Sequence, residues 1–158
     1  MIDMTEQEII KILESDDCSP EDFVVLSKAL FAKRGMSYGE WQEIFHEQEF
    51  KEGLRQYGLP EELVTDVVAS TIREKLGHNE NIIHCLRYDE NRKPICAICN
   101  ADPHKAVTID AEPQHGNKER PLVIIAIVCK HHFRRIQRQD VKALDSITEI
   151  AVRLRKMD

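Results

Sequence analysis

Two short pairs of residues in this chain have the types and the spacing of a metal site. Cys96 and Cys99 form a Cys-x-x-Cys pair within PICAICN, and Cys129 and His132 form a Cys-x-x-His pair within VCKHHFRRI. A tight turn between two cysteines aims both sulfur atoms at one point, and residues three apart on a helix share a face. Structural zinc takes four Cys or His ligands in a tetrahedron. We therefore predict that these four side chains hold one structural Zn²⁺ ion.

The fourth ligand has alternatives. His131 directly precedes His132, and consecutive side chains on a helix point about 100° apart, so both cannot ligate one ion comfortably. His132 is preferred because it shares a helix face with Cys129, which leaves His131 as a solvent-facing or hydrogen-bonding residue. More distant alternatives are His84, Cys85, His104 and His115.

The chain before this motif contains the start signals of several helices. The stretches TEQE at 5–8 and SYGE at 37–40 are capping boxes, and SPED between them places a serine cap before a first-turn proline. Apolar residues follow each signal at helical spacing. We predict four or five helices, with Trp41 and Leu54 on the same one, and a short helical piece around 80–87.

The pattern changes at the polar stretch DENRKP. We interpret it as the boundary between an acidic helical domain, 1–91, and a zinc-binding module, 92–158. Alternating and then continuous apolar residues predict two strands, around 107–111 and 122–128. The polar segment between them contains two prolines and a glycine, which predicts a hairpin loop.

The residues after the second strand return to helical spacing. Phe133, Ile136, Leu144 and Ile147 give an apolar stripe typical of a long C-terminal helix. A break near Asp140 is an alternative, because that carboxylate could cap a separate last helix. The predicted fold class is α+β, with a mostly helical N-terminal part, a zinc-binding β-hairpin and helix, and the long C-terminal helix.

The composition is that of a globular protein, with 42% hydrophobic and 32% charged residues. No apolar run approaches the ~20 residues that a membrane span needs, and the acidic start MIDMTEQEII is unlike a signal peptide. Five cysteines, of which Cys18 and Cys85 are isolated, favour metal binding over a disulfide framework. These features predict a cytoplasmic protein that binds no membrane.

Charge is unevenly divided along the chain. Residues 1–91 contain 9 Lys and Arg against 20 Asp and Glu, a net charge of −11, whereas residues 92–158 contain 13 against 8, a net charge of +5. The whole chain therefore carries −6. An acidic first half and a basic second half indicate different partners for the two halves, or an attraction between them.

Basic residues recur after the second ligand pair. Four are spaced every four positions and a fifth lies beside them: Lys130, Arg134, Arg138, Lys142 and Arg135. On one helix they form a stripe that neutralises phosphates, to which Lys118 and Arg120 of the predicted loop could add, and this predicts a nucleic-acid partner. The alternatives are a plain exposed helix face or a contact with the acidic half, and a pI near 5.7 is low for a general nucleic-acid binder.

The acidic helices suggest a competing function, that of a protein–protein adaptor. Trp41, Phe45 and Tyr38 are either anchors for a protein partner or core residues of an amphipathic helix. In this interpretation the zinc holds the C-terminal part rigid. Binding that weakens steeply with salt favours nucleic acid, and salt-tolerant capture of a partner favours the adaptor.

The stretch from Cys96 to about Arg138 resembles a treble-clef zinc finger. Within that group it is similar to the HNH endonucleases, whose zinc-bearing members place a hairpin between two such ligand pairs. The resemblance implies a histidine after an acidic residue at the end of the first strand, where it activates water, and a metal-binding His or Asn on the helix. Here Ala111 follows Asp110, and Phe133 occupies the helix position.

These departures argue against catalysis, because phosphodiester hydrolysis without a base and a catalytic metal has little help. A divergent, metal-dependent endonuclease would need a shifted register, with His115 as the base and His131 as the ligand. A redox role for the paired cysteines lacks the required strand–helix context. We assign no catalytic residue, and the favoured function is non-enzymatic binding or regulation, with nucleic acid ahead of protein.

Overall fold

The structure, a computed structural model, describes residues 4–15, 17–77, 81–110 and 122–157. Within these ranges the elements follow in the order α1 Glu6–Leu13, α2 Pro20–Lys33, α3 Tyr38–Phe45, α4 Glu47–Gln56, α5 Glu61–Leu76, β1 Ile82–Cys85, β2 Arg87–Tyr88, β3 Pro94–Ile95, β4 Lys105–Asp110, β5 Val123–Val128, α6 Lys130–Gln137 and α7 Val141–Met157. The fold is a mixed α+β arrangement whose N-terminal half is helical, as predicted.

The predicted helix starts are confirmed. Thr5 and Ser37 each accept a hydrogen bond from the third backbone N–H of their helix, while Glu8 and Glu40 reach back to the cap residue. Ser19 caps α2 in the same way, directly before its first-turn proline. These bonds satisfy N–H groups that have no partner within the helix, and so they fix where each helix begins.

One predicted helix is divided into two. The chain turns at His46, whose φ of 50° places it in the left-handed region between α3 and α4. The turn brings Glu47 back beneath Trp41, whose indole nitrogen donates to the Glu47 carboxylate at 2.8 Å. Trp41 and Phe45 are buried core residues, whereas Tyr38 is 56% exposed.

The predicted helical piece around 80–87 is wrong. Residues Ile82–Cys85 form β1, which pairs in parallel with β5, and Arg87–Tyr88 form β2, which pairs antiparallel with β3. A short apolar run does not distinguish a helix from a buried strand, and pairing along the free edge of β5 decides the outcome here. The polar residues that follow form the turn of the β2–β3 hairpin, where Asp89 accepts from the backbone of Asn91 and Lys93.

Strand β5 is the centre of the three-stranded sheet, whose order is β1-β5-β4. All six of its residues are buried, because the sheet is covered on both faces. Ile125 and Ile127 pack into the core that contains α5, whereas Ile124, Ala126 and Val128 pack into a second core with Ile147 of α7. The second core also contains three of the cysteines.

The antiparallel pairing of β4 with β5 confirms the two predicted strands. The predicted hairpin loop, together with Ala111, His115, Lys118 and Arg120, lies outside the described residues. The division of the chain at residue 91 stays a prediction. No helix in the described part of the chain is both long enough and apolar enough to cross a membrane.

The C-terminal region is not one long helix. It forms α6 of 8 residues and α7 of 17, separated at Gln139, whose φ is 58°. Asp140 accepts the backbone N–H of Ala143 at 3.2 Å and so caps the second helix. The alternative of a break near Asp140 is therefore the one observed.

Candidate metal centre

The structure brings all four predicted ligands to one point. The ligand atoms of Cys96, Cys99, Cys129 and His132 all lie within 4.8 Å of one another. Nδ1 of His132 is 3.3 Å from Sγ of Cys129 and 3.7 Å from Sγ of Cys96, and the sulfurs of Cys99 and Cys129 are 3.7 Å apart. A tetrahedral zinc with ordinary bond lengths separates its ligand atoms by roughly 3.5–3.8 Å. The group therefore fits one bound zinc ion.

The first ligand pair lies in a turn that follows β3. The backbone N–H of Ile98 points at Sγ of Cys96 at 3.4 Å, and the N–H of Cys96 donates to the carbonyl of Ala101 at 2.9 Å. The N–H of Ala97 donates to the carbonyl of Ile127 on β5 at 2.8 Å. These bonds fix the turn against the central strand before any metal contributes.

Arg87 is a supporting residue that the sequence did not reveal. Arg87 is part of β2, and its guanidinium donates to the backbone carbonyls of Cys96 and Ala97 at 3.4 and 3.3 Å. Pairing of Arg87 with Ile95 across the β2–β3 hairpin brings it there. Only recognition of that hairpin from the sequence could have indicated this role.

The second ligand pair stands where β5 ends and α6 begins. Cys129 is the N-cap of α6, and its sulfur accepts the backbone N–H of His132 at 3.5 Å. A helix N-terminus carries partial positive charge, which stabilises a thiolate there. Both Cys129 and His132 are buried, so the helix positions them in a site that is shielded from water.

The pKa shifts of Cys96 and His132 favour metal binding, whereas the shift of Cys99 opposes it. Burial tends to raise the pKa of Cys96, but backbone N–H groups, led by that of Ile98, outweigh it and hold the pKa below its usual value. Burial and the adjacent thiols raise the pKa of Cys99. Burial, together with the charges of His131 and Arg135, lowers the pKa of His132. A neutral imidazole and an easily ionised thiol are the forms that bind zinc.

The other candidates for the fourth ligand lie elsewhere. His131 is exposed, and its ring stands at 5.2 Å from that of His132. His84 is hydrogen-bonded to Thr71 at 2.9 Å, and Cys85 is buried, with its pKa raised by burial to about 11. Among the described residues, none of these belongs to the group of four.

The predicted basic residues are distributed over two helices. Lys130, Arg134 and Arg138 are exposed on or directly after α6, and none has an ion pair among the residues that the structure describes. Arg135 differs, because it donates to Asp140 at 3.0 Å. Lys142 is exposed in the first turn of α7, so the expectation of one stripe on a single helix is corrected by the break at Gln139.

The positions that matter for the endonuclease interpretation are only partly described. Asp110 ends β4 and is exposed. Phe133 is half-buried on α6. The centre of its ring lies 5.8 Å from that of His104 and 5.6 Å from Nζ of Lys105. These contacts are those of a packing residue.

A comparison of the sequence with protein-family models finds no match. Comparisons with the curated proteins and with the solved structures find no match either. The resemblance to treble-clef fingers and to HNH endonucleases therefore rests on the ligand spacing and on the order of the elements.

Proposed function

We propose that this chain is a zinc-binding protein whose single zinc is structural and whose α6 helix binds nucleic acid without catalysing a reaction. The order of a Cys-x-x-Cys turn, an antiparallel strand pair and a helix with the second ligand pair supports a treble-clef-like module. All five cysteines are free of disulfides, which suits the reducing environment of the cytoplasm.

The observation that carries the proposal is the two-sided nature of α6. One face supplies the buried ligand His132, and the other exposes Lys130 and Arg134, with Arg138 directly after the helix. Because these cations have no acidic partner among the described residues, their charge is available to phosphates. The zinc fixes the start of the helix, so the cations project from a rigid support.

The test is the salt dependence of binding to labelled single-stranded and double-stranded DNA and RNA, measured by fluorescence anisotropy on zinc-loaded protein. The double variant Lys130→Gln/Arg134→Gln should reduce the slope of log K against log salt by about 2. A matched control, Lys11→Gln/Lys33→Gln, removes two exposed cations from the helical half and should leave the slope unchanged. Equal losses in both variants, or binding without salt dependence, would contradict the proposal.

One observation favours a protein partner as the second candidate. Helix α3 exposes Tyr38 and Ile44, at 56% and 49% of their surfaces. Aromatic and large apolar side chains are common anchors in interfaces. Binding of a protein that survives high salt and is lost in the variant Tyr38→Ser/Ile44→Ser would support the adaptor over the nucleic-acid function.

A further inference from the structure

A second candidate site lies in the helical half, away from the zinc ligands. A cavity of about 530 Å³ opens between α2, α4 and α5, and none of its lining residues belongs to the metal cluster. Volumes of this size accommodate small organic molecules. Val24 and Val25 provide an apolar wall.

The inner part of the cavity carries an unusual charge cluster. The side chain of Glu47 is 1% exposed, and its carboxylate oxygens lie 2.8 Å from Lys28 Nζ and 2.7 Å from Lys51 Nζ. It also accepts the indole N–H of Trp41 at 2.8 Å. Two cations therefore flank one buried anion, and Lys51 is also near enough to Glu61 to help lower the pKa of that carboxyl, after its hydrogen bond from Arg55.

The two lysines still have hydrogen-bonding capacity. Each ammonium has three N–H donors, of which one reaches Glu47 in each case. Lys28 also lies over the rings of Tyr38 and Trp41, at 5.6 and 6.0 Å. Lys51 makes no further ion pair among the described residues. An anionic group in the cavity could therefore receive donors from both lysines.

The mouth of the cavity has the opposite charge. Glu21 and Glu62 line it and are exposed, and neither has an ion pair among the residues with a described placement. Glu61 also lines the cavity, but Arg55 binds it at 2.6 Å. Carboxylates at the mouth repel a dianion such as phosphate, and they attract a cation.

We propose that this cavity binds a small zwitterion, a compound with a carboxylate and an ammonium on a short aliphatic chain. The carboxylate contacts Lys51 and Lys28, the ammonium contacts Glu21 or Glu62, and the chain packs on the two valines. Such a ligand satisfies both signs of charge, which neither a simple carboxylate nor a simple amine can do. The site is independent of the function proposed for α6.

The test uses the full zinc-loaded chain and ligand-observed NMR, followed by calorimetric titration. The probes are glycine, L-valine, 4-aminobutanoate and 6-aminohexanoate, each with its N-acetyl and its carboxamide derivative. We expect at least one of the zwitterions to bind, and both of its derivatives to bind roughly tenfold more weakly, the effect of one lost charged contact. Inorganic phosphate serves as the dianion probe and should bind more weakly still.

Two variants locate the binding. Glu21→Gln/Glu62→Gln changes only exposed side chains at the mouth, so the variant should fold normally. Its affinity for the zwitterion should be roughly tenfold lower. The control Glu43→Gln removes an exposed carboxylate from α3, outside the cavity lining, and should bind as the unaltered chain does. Lys51→Gln tests the inner contact, with thermal unfolding of the same sample to show that it is folded.

Three outcomes would overturn the proposal. The first is that none of the probes binds. The second is that the N-acetyl or carboxamide derivative binds as tightly as its parent, and the third is that the mouth variant and the Glu43→Gln control behave alike. In each case Lys28, Glu47 and Lys51 would be a structural cluster that joins α2 to α4.

Discussion

Asp66 on α5 accepts the backbone N–H of Ala106 on β4 through Oδ2 at 2.8 Å. Strand β4 lies at the edge of the three-stranded sheet, so this bond occupies a backbone donor that would otherwise face outward. Exposed edge donors invite pairing with other chains. The carboxylate therefore joins the helical half to the sheet and covers part of its edge.

For the stability of the fold, the negative charge of Asp66 should matter less than the hydrogen bond that its side-chain oxygen accepts. Burial raises the pKa of Asp66, and the N–H of Ala106 and nearby cations offset only part of that rise. The folded state therefore holds the carboxyl proton of Asp66 more tightly than the unfolded state does. As a result, Asp66 lowers the free energy of unfolding as the pH rises through and above the ordinary pKa of this group. We expect Asp66→Asn to be at least as stable as the parent at pH 7, and Asp66→Ala to lose roughly 1–2 kcal/mol.

Urea unfolding of both Asp66 variants at pH 7 and at low pH measures these effects. The advantage of Asp66→Asn over the parent should shrink at low pH, where Asp66 is protonated. An Asn variant as unstable as the Ala variant would show that the negative charge itself stabilises the contact.

His132 and His131 provide a matched pair for the metal site. His132→Ala removes a buried ligand atom and should weaken zinc binding at least tenfold, whereas His131→Ala removes an exposed ring and should retain the ion. Native mass spectrometry before and after acid denaturation counts the zinc in each variant. Zinc loss from the His131 variant alone would reverse the ligand assignment.

Removal of zinc should affect the two cores unequally. Cys96 and Cys129 belong to the second core, whereas the core around α5 consists of apolar side chains such as Val64 and Val67. Binding energy at a structural zinc site is folding energy, so chelation should expose the amides of residues 94–100 and 130–137 first. Hydrogen exchange with mass spectrometry measures this, and Trp41 fluorescence reports on the helical half. Equal loss of protection in α5 would mean that the two cores unfold together.

His84 should make stability depend on pH. Burial is the main cause that lowers the pKa of His84 to about 4, from 6.5. Between these values the unfolded state binds more protons, so stability falls as pH drops from 6.5 to 4, by about 3 kcal/mol at most. His84→Gln should flatten this part of the curve. The control His46→Asn changes an exposed ring at a left-handed position that Asn tolerates, and it should change stability at pH 7 little.

Substitution of Glu47 should lower the stability of the helical half more than substitution at most other positions there. Burial alone would raise its pKa, but the bonds from Lys28, Lys51 and Trp41 hold the pKa below its usual value. Glu47→Gln leaves two partly buried ammonium groups without an anion, and we expect a loss of about 3 kcal/mol. The control Glu49→Gln, on the same helix with an 85% exposed side chain, should change stability little in the same denaturation experiment.

The sequence predicted those elements whose signals are local. Thr5, Ser19 and Ser37 mark helix starts because a cap acts within one turn, and the four candidate zinc ligands are recognised by their spacing. Strand β5 was predicted because burial on both faces demands an uninterrupted apolar run.

The elements that were missed depend on distant partners. Ile82–Cys85 becomes a strand only because β5 offers a free edge some forty positions later in the chain. The break at His46 is accompanied by a buried hydrogen bond between Trp41 and Glu47, which no helical pattern displays. Arg87 reaches the cysteine turn through a hairpin whose two strands have two residues each, too short to show an alternating hydrophobic pattern in the sequence.

The separation of the ligands along the chain has a consequence for biosynthesis. Cys99 and Cys129 are 30 residues apart, so at ~5–20 residues per second the ribosome adds the second pair roughly 2–6 s after the first. During that interval Cys96 and Cys99 are only half of a site. An ion held by all four side chains can therefore be enclosed only late in synthesis, after the helical half has already been made.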